Sequence, residues 1–270
     1  MTNLSLEFSV DNYGKSYLNS QFAAYPYHVC RAQYLDNDPD GMANVYIQSA
    51  SGGIYQNDSL ITNVTANANS NSHVTTQAST IVHSMPDGKS TQTVNIEAKD
   101  NSHTEYYSDP LILFPQSELN STINLIIDNT STAIIIDGFI THSLNEKDVR
   151  FRRLDSNFSI MTPDKQLLVR DVYTATPENL NPLKKFNFVG MGTLALVSQK
   201  YCDDELLETI QQDLLTNKDI YGGASKLPNN AGIIIKFLIE ESNMLKESSL
   251  YYWKLIRSNI FGIEPVTRRK

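Results

Sequence analysis

The chain has 270 residues, of which 40% are hydrophobic and 19% charged, and this composition is typical of a folded globular protein. Its formal net charge of −8 argues against a nucleic-acid-binding surface, because phosphate recognition requires concentrated lysine and arginine. Cys30 and Cys202 lie outside any CxxC or histidine-rich spacing, which excludes a disulfide framework or a zinc site. The sequence shows no signal peptide and no apolar run long enough to cross a membrane, so we expect a cytoplasmic protein.

The first 200 residues or so carry the pattern of an all-β protein. Apolar and polar residues alternate with a period of two in several short segments, and turn signals such as Pro86-Asp87-Gly88 separate them. Many short strands with regular turns predict an extended β architecture, although no strict sequence repeat is present. Strands are predicted at residues 45–48, 60–66, 73–83, 93–98, 121–128, 157–161 and 167–173.

After about residue 200 the period becomes helical. The acidic residues 203–205 precede an apolar stripe, and together they predict a helix at residues 204–217. The elements predicted beyond it are a loop at Gly222-Gly223, a buried strand at residues 232–238 and a second helix at residues 243–258 capped by Ser242. No linker rich in proline, glycine or serine interrupts the chain, so we expect a single domain spanning residues 1–270.

Residues 51–85 are the most informative stretch of the sequence. Gly52 and Gly53 precede a predicted strand, where paired glycines indicate a tight turn or a close backbone approach. The strand at residues 73–83 has an unusual polar face, whose hydroxyls and amides are suited to bond across a repetitive sheet. Its members are Thr75, Thr76, Gln77, Ser79 and Thr80.

No group of residues forms a complete catalytic or metal-binding pattern. His73 and His103 flank predicted turns and are expected to be solvated, whereas His83 ends the threonine-rich strand and is placed to touch a metal in transit. The glycines at 190 and 192 lack a P-loop lysine, so a turn or bulge is favoured. The acidic loop at residues 36–40 departs from a calcium loop and is predicted to be solvated. These absences favour a binding or scaffold protein over an enzyme.

Several segments, in the same order along the chain, resemble the urease accessory protein UreD (UreH in some bacteria). The first is Gly52-Gly53-Ile54 followed by Asp58-x-Leu60, and the second is Val74-Thr75-Thr76-Gln77-Ala78-x-Thr80. Others are Pro26-x-His28-x-x-Arg31, Glu105-Tyr106-Tyr107-x-Asp109-Pro110-x-Ile112-x-Phe114, Gly190-x-Gly192-Thr193-Leu194 and Gly223-Ala224-Ser225-x-Leu227-Pro228. Asp137-Gly138 lies one place away from an acidic position of the family, so no role is assigned to Asp137.

The resemblance implies a mainly β, stacked-strand (β-helix-like) assembly with two C-terminal α-helices and no enzymatic activity. It implies a urease maturation scaffold that binds apo-urease together with UreF and UreG partners and helps nickel reach the urease active site. No cofactor would be bound tightly, since nickel would be in transit and GTP would enter only through the partner GTPase. Neither nucleic acid nor a membrane is an expected partner.

A nickel passage requires polar side chains that bind the ion weakly enough to release it. The candidates are Asp58, Thr75, Thr76, Gln77, Thr80, His83, Glu105 and Asp109, with no tight metal site. Gly52, Gly53, Gly190 and Gly192 are expected to be structural turns. Two alternatives remain open: a cytoplasmic β-rich adaptor for another assembly, and a β-helical carbohydrate-active enzyme, which would need an acid pair and usually an export signal.

Overall fold

The computed structural model describes residues 1–35, 37–39, 41–142, 150–181 and 187–266. The strands are β1 Leu4–Val10, β2 Ser16–Ala23, β3 Tyr27–Val29, β4 Ala43–Ser49, β5 Ser59–Ala66, β6 Asn71–Thr76, β7 Thr80–Val82, β8 Ser90–Ala98, β9 His103–Tyr107, β10 Leu111–Leu113, β11 Glu118–Ile127, β12 Thr132–Thr141, β13 Arg153–Met161, β14 Leu167–Ala175, β15 Gly190–Val197, β16 Ile220–Lys226 and β17 Gly232–Ile239. The α-helices are α1 Pro177–Leu180, α2 Asp204–Thr216 and α3 Ser242–Phe261.

The strands form two sheets that the chain visits in turn. The first sheet has the order β14-β13-β11-β8-β5-β1-β2, with five parallel strands between two antiparallel edges. The second has the order β16-β17-β15-β12-β9-β6-β4-β3, with β7 and β10 extending it beside β12. Because β5, β8 and β11 of the first sheet alternate with β6, β9 and β12 of the second, successive coils stack on one another. The predicted mainly β, stacked-strand fold is confirmed, and so are the two C-terminal helices.

An asparagine ladder shows how the coils stack. Asn95 donates to the side-chain oxygen of Asn63 at 2.9 Å, and Asn124 donates to that of Asn95 at 3.0 Å. Ser159 continues the ladder with a bond of 2.8 Å to Asn124. The sequence separations of these pairs are 32, 29 and 35 residues. Because the coils differ in length, equivalent positions stack although the sequence has no strict repeat.

Apolar side chains form three clusters. The first lies between the sheets and contains residues such as Leu6, Ile96 and Ile135. The second fills the space between the outer face of the second sheet and helices α2 and α3. The third lies between the sheets at another level and includes Phe139. Since successive strand residues point to opposite faces, one strand such as β12 contributes to the first and second clusters alternately.

Three details of the predicted elements were wrong. The threonine-rich strand at residues 73–83 is two strands, β6 and β7, separated by residues 77–79. The glycines at 222 and 223 lie within β16 rather than in a loop. Ser242 begins α3, and the N-cap residue is Glu241, which makes no side-chain capping bond.

Gly190 and Gly192 are not turns, because both lie inside β15 and pair with β12 and β17. Packing explains the glycine at 192, since an added Cβ would approach the Phe237 ring and Leu245 at 2.8 Å or less. Gly52 and Gly53 lie in a bend before Ile54, and a Cβ on Gly53 would collide with the carbonyl of Ile81. Among the described residues, no helix is both long and apolar enough to cross a membrane.

Candidate functional site

A layer of polar side chains crosses the space between the sheets and separates the first apolar cluster from the third. In β12, Ile135 faces the first cluster and Phe139 the third, and the inward-facing residue between them is Asp137. Other strands repeat this pattern at the same level. We call the set the polar layer: Thr62, Gln92, Ser121, Ser156, Asp171 and Tyr173 from the first sheet, and Thr76, Ser108, Asp137, Thr193 and Lys236 from the second.

Strand pairing places the residues of the second sheet side by side. Lys236 pairs with Thr193, and Thr193 pairs with Asp137. The registers of β12 with β9 and of β9 with β6 continue the row through Ser108 to Thr76. The polar layer therefore extends across several strands of the second sheet, from β17 to β6.

Asp137 lies at the centre of the polar layer. Three small cavities of about 40, 20 and 10 Å³ all include Asp137 in their walls. Burial raises the pKa of Asp137 to about 6, even though the backbone of Gly138 and the Ser108 hydroxyl hydrogen-bond to it and oppose the shift. A carboxyl group is therefore held inside the protein where small polar voids meet.

Four of the predicted passage residues lie at or near the end of the polar layer that β6 forms. Thr76, Thr80 and Asp109 line the 40 Å³ cavity together with Asp137. Asp109 is nearly inaccessible, and its backbone N–H donates to the Thr76 hydroxyl at 2.8 Å.

Asp58 lies close to this end without lining the cavity. Asp58 lies two residues before Leu60, which lines the cavity, and its charge adds to the effect of burial in raising the pKa of the cavity residue Tyr27. Asp58 Oδ2 also accepts the backbone N–H of Tyr55 at 2.8 Å and so stabilises the turn before β5.

The opposite end of the polar layer is closed by an ion pair. Lys236 Nζ lies 2.6 Å from Asp171 Oδ2 and joins the second sheet to the first. Both side chains are partly exposed, and the Tyr173 ring lies 5.2 Å from the ammonium. The adjoining cavity of about 20 Å³ is lined by Asp171, Tyr173, Thr193 and Asp137.

Thr75 and Glu105 face away from the polar layer, because strand alternation turns them toward α3. The Thr75 hydroxyl donates to the Tyr107 carbonyl at 2.7 Å. Glu105 is fully buried and accepts hydrogen bonds from His73 at 2.6 Å and from Trp253 at 3.0 Å. The structure therefore does not bring these two predicted residues together with Thr76 and Asp109.

A buried charge cluster surrounds Glu105. Arg257 of α3 lies 3.0 Å from Glu105 Oε1 and 2.6 Å from Asp38 Oδ1. His103 Nε2 lies 2.9 Å from Glu105 Oε1. Burial alone would raise the pKa of Glu105, but Arg257 and the two histidines hold it well below its usual range. The prediction that His73 and His103 are solvated was wrong, since both are buried against this carboxylate.

Asp38 was predicted to lie in a solvated acidic loop, yet its carboxylate is buried against Arg257. Asp36 and Asp40 of that loop lie outside the described residues. Within the described ranges, no group of three or more His, Cys, Asp and Glu side chains is arranged to hold a metal ion.

Gln77 and His83 lie outside the polar layer. Gln77 is exposed in the bend between β6 and β7. His83 stacks on Tyr55 with ring centroids 4.3 Å apart, and its Nε2 hydrogen-bonds to the Gly52 carbonyl at 3.0 Å. These contacts hold the His83 ring against the glycine bend.

A cavity of about 360 Å³ lies between loops at one end of the coils and away from the polar layer. Its walls include Asp128, Asp164 and the apolar Leu168. Hydrogen bonds from Thr130 lower the pKa of Asp128, which makes this carboxyl unsuited to act as a general acid near neutral pH. Size alone therefore does not mark this cavity as the functional site.

Sequence reasoning assigned no role to Asp137, Thr193, Asp171 or Lys236. The signal was a polar residue at an inward-facing position of an otherwise apolar strand, as Asp137 is after three consecutive isoleucines. A single inward-facing polar residue does not show in the sequence which other residues lie beside it. The pairing of several strands is needed before these residues become recognisable as one layer.

The fold and the polar layer define a β-solenoid-like protein with a layer of polar side chains between its two sheets and with helices packed on one sheet. The sequence matches the family model described as UreD urease accessory protein over residues 1–270. It is 30% identical over 268 residues to "Urease accessory protein UreD 1" of Pseudomonas syringae pv. syringae (strain B728a), covering 98% of this chain and 94% of that protein. The chain therefore belongs to the UreD urease accessory protein family and has a urease accessory role.

Relatives from other bacteria agree. "Urease accessory protein UreD 1" of Methylorubrum extorquens (strain PA1) is 29% identical over 263 residues, which is 94% of this chain and 86% of that protein. "Urease accessory protein UreD" of Yersinia enterocolitica serotype O:8 / biotype 1B (strain NCTC 13174 / 8081) is 29% identical over 251 residues, 88% of this chain and 76% of that protein. The resemblance expected from the ordered sequence motifs is confirmed.

Proposed function

We propose that this chain is a non-catalytic scaffold for urease maturation, which binds apo-urease together with UreF-like and UreG-like partners. In this proposal nickel is the cargo, and the polar layer is the route along which the ion moves toward the urease active site. The observation that carries the proposal is the placement of four carboxylates along this route: Asp58 near one end, Asp109 and Asp137 inside, and Asp171 at the other end.

The chemistry of the layer suits an ion in transit. Carboxylate, hydroxyl and amide oxygens bind a divalent first-row metal more weakly than thiolates or clustered imidazoles do. The residues also alternate between charged and neutral, as with Asp137 between Ser108 and Thr193. Such a route supplies successive weak ligands, so that the ion is released from each in turn.

The dimensions of the cavities limit the form in which the ion travels. Allowing roughly 10–15 Å³ for each water, the cavities of about 40 and 20 Å³ hold about three waters and one water. A fully hydrated divalent cation does not fit such spaces. The ion would therefore exchange part of its water for layer oxygens, and the side chains between the cavities would move as it passes.

The two alternatives lack this support. The polar-layer cavities are too small for a sugar ring, and in the larger cavity elsewhere hydrogen bonds from Thr130 lower the pKa of Asp128. An adaptor role in another assembly does not explain why a carboxyl group lies between two apolar clusters, because removing such a group from water is costly.

The test uses cells that carry the complete urease gene cluster. Urease is purified from cells with the wild-type chain, from cells with an early stop codon in this gene, and from cells with Asp137→Asn; its nickel content and activity are measured. We expect nickel-poor, inactive urease in the stop-codon strain and slower loading with Asp137→Asn. Equal nickel contents with and without the stop codon would exclude the maturation role. Normal loading with Asp137→Asn would exclude only the route.

A further inference from the structure

We propose that Lys236 is a tethered cation that closes one end of the polar layer, and that a divalent cation passes this end by displacing the Lys236 ammonium from Asp171. This inference rests on the proposed function. It adds a residue that controls passage to the residues that line the route.

Strand geometry directs Lys236 into the space between the sheets. In β17, Ile233, Ile235 and Phe237 belong to the apolar cluster under the helices. Lys236 therefore points to the opposite face, between residues that pack against the inter-sheet clusters. A lysine at an inward-facing position of a strand is unusual, because its charge must find a partner there.

The partner is Asp171, and it comes from the other sheet. Lys236 Nζ lies 2.6 Å from Asp171 Oδ2 and 2.7 Å from Oδ1, so that the ammonium is shared by both oxygens. The side chains are 31% and 24% exposed, which places the pair at the boundary between the interior and solvent. Directly inside it lies the small cavity that also touches Asp137.

Thr193 connects this ion pair with the centre of the layer. It lies between Lys236 and Asp137 in the strand pairing. Its hydroxyl oxygen is buried, and no described residue forms a hydrogen bond with it. A buried hydroxyl with spare bonding capacity beside a charged pair is suited to receive either the displaced ammonium or the passing cation.

The Lys236–Asp171 ion pair is weak enough for a competing cation to break it. Partly exposed lysine–carboxylate pairs contribute little net free energy, and the flexible lysine stem lets the ammonium move without moving the backbone. A divalent cation carries twice the charge of the ammonium and competes effectively for Asp171. Arg257 provides the contrast, because its guanidinium is fully buried between Glu105 and Asp38 and is held in place.

The test compares Lys236→Met with Lys236→Arg in cells that carry the complete urease gene cluster. Methionine keeps the length of the side chain without its charge, whereas arginine holds a carboxylate through two parallel hydrogen bonds. Nickel per urease is measured by mass spectrometry at successive times after nickel is added. The control is Lys254→Met, since Lys254 is similarly buried but pairs with the exposed Glu264 outside the layer.

We expect nickel loading to be about two- to fivefold faster with Lys236→Met, the factor that corresponds to losing a partly exposed ion pair. Loading should be slower with Lys236→Arg and unchanged with Lys254→Met. Changes in the same direction, or no change, in the two Lys236 variants would overturn the closure. If Lys236→Met does not accumulate, Lys236→Arg decides alone: loading as fast as wild type overturns the proposal. Normal loading in the stop-codon strain would instead remove the proposed function itself.

Discussion

Arg257 of α3 lies 3.0 Å from Glu105 of β9, and neither side chain is accessible to solvent. The contact joins residues 152 positions apart in the sequence and fastens the last helix to the middle of the second sheet. Asp38 binds the other side of the same guanidinium, so a loop near the N-terminus is held as well. One arginine therefore connects three distant parts of the chain.

Replacing Arg257 with methionine should destabilise the protein by about 3–5 kcal/mol, because two carboxylates are left buried without their cation. Urea unfolding of both proteins at neutral pH measures the change in the free energy of unfolding. Arg153→Met is the control, since Arg153 pairs with Asp155 on the surface, and it should leave the midpoint almost unchanged. A similar small effect for both variants would contradict the role of Arg257.

Gly192→Ala should destabilise the protein by about 1–3 kcal/mol, because the new methyl group would push against Phe237 and Leu245 and displace α3. Gly223→Ala is a matched control in the same sheet, where an added Cβ has no neighbour within 4 Å. Its effect should be close to zero or slightly stabilising. Thermal unfolding of both variants tests the packing, and equal melting temperatures would exclude the close contact.

Much of the fold could be predicted from the sequence, because alternation and turn signals are local. The strands β5, β8, β11, β13 and β14 and the helix α2 were located to within a few residues. Strand pairing could not be predicted in this way, because the coils contain unequal numbers of residues. No periodic pattern in the sequence indicates that Asn63, Asn95 and Asn124 form one ladder.

The candidate site was only partly predictable. Motif resemblance pointed to Thr76, Thr80 and Asp109, which do share a cavity. It also pointed to Glu105, whose neighbour Arg257 is remote in sequence and turns this carboxylate into part of a buried ion pair. The polar layer itself depends on which strands pair and on which face each residue takes, and neither is visible in single segments.

The contribution of Asp137 to the stability of the protein should fall as the pH rises from about 4 to about 6. The folded protein keeps the proton of Asp137 up to a pKa of about 6, whereas the unfolded chain releases it near 3.8. Deprotonation therefore favours the unfolded state. At pH 7.5, Asp137→Asn should stabilise the chain by up to about 3 kcal/mol, which is the shift converted at 1.36 kcal/mol per pKa unit.

Urea unfolding of the wild type and of Asp137→Asn at several pH values between 4 and 8 measures this contribution. The difference between the two proteins should be absent near pH 4 and should grow to its full size by about pH 7. A constant difference at all pH values would mean that Asp137 has no raised pKa.

Asp58→Asn should slow nickel loading of urease without disturbing the fold. Asparagine keeps an oxygen that accepts the N–H of Tyr55 but removes a charge worth about 1 kcal/mol to a nearby cation in water. Asp128→Asn is the control, because Asp128 stabilises a comparable turn through Thr130 and lies away from the polar layer. Equal loading with both variants would remove Asp58 from the route.

Thr193→Val separates a role in passage from a role in stability. Valine has the shape of threonine but lacks the hydroxyl, whose oxygen is buried and has no hydrogen-bond partner among the described residues. Removing such a group should stabilise the protein by about 1 kcal/mol, because its desolvation is no longer uncompensated. If nickel moves along the polar layer, the same substitution removes one oxygen between Asp137 and Asp171 and should slow the loading of urease. Urea unfolding and nickel content, measured on the same variant, should therefore change in opposite senses: a more stable chain that loads urease more slowly. A more stable chain with normal loading would show that Thr193 is not used by the ion.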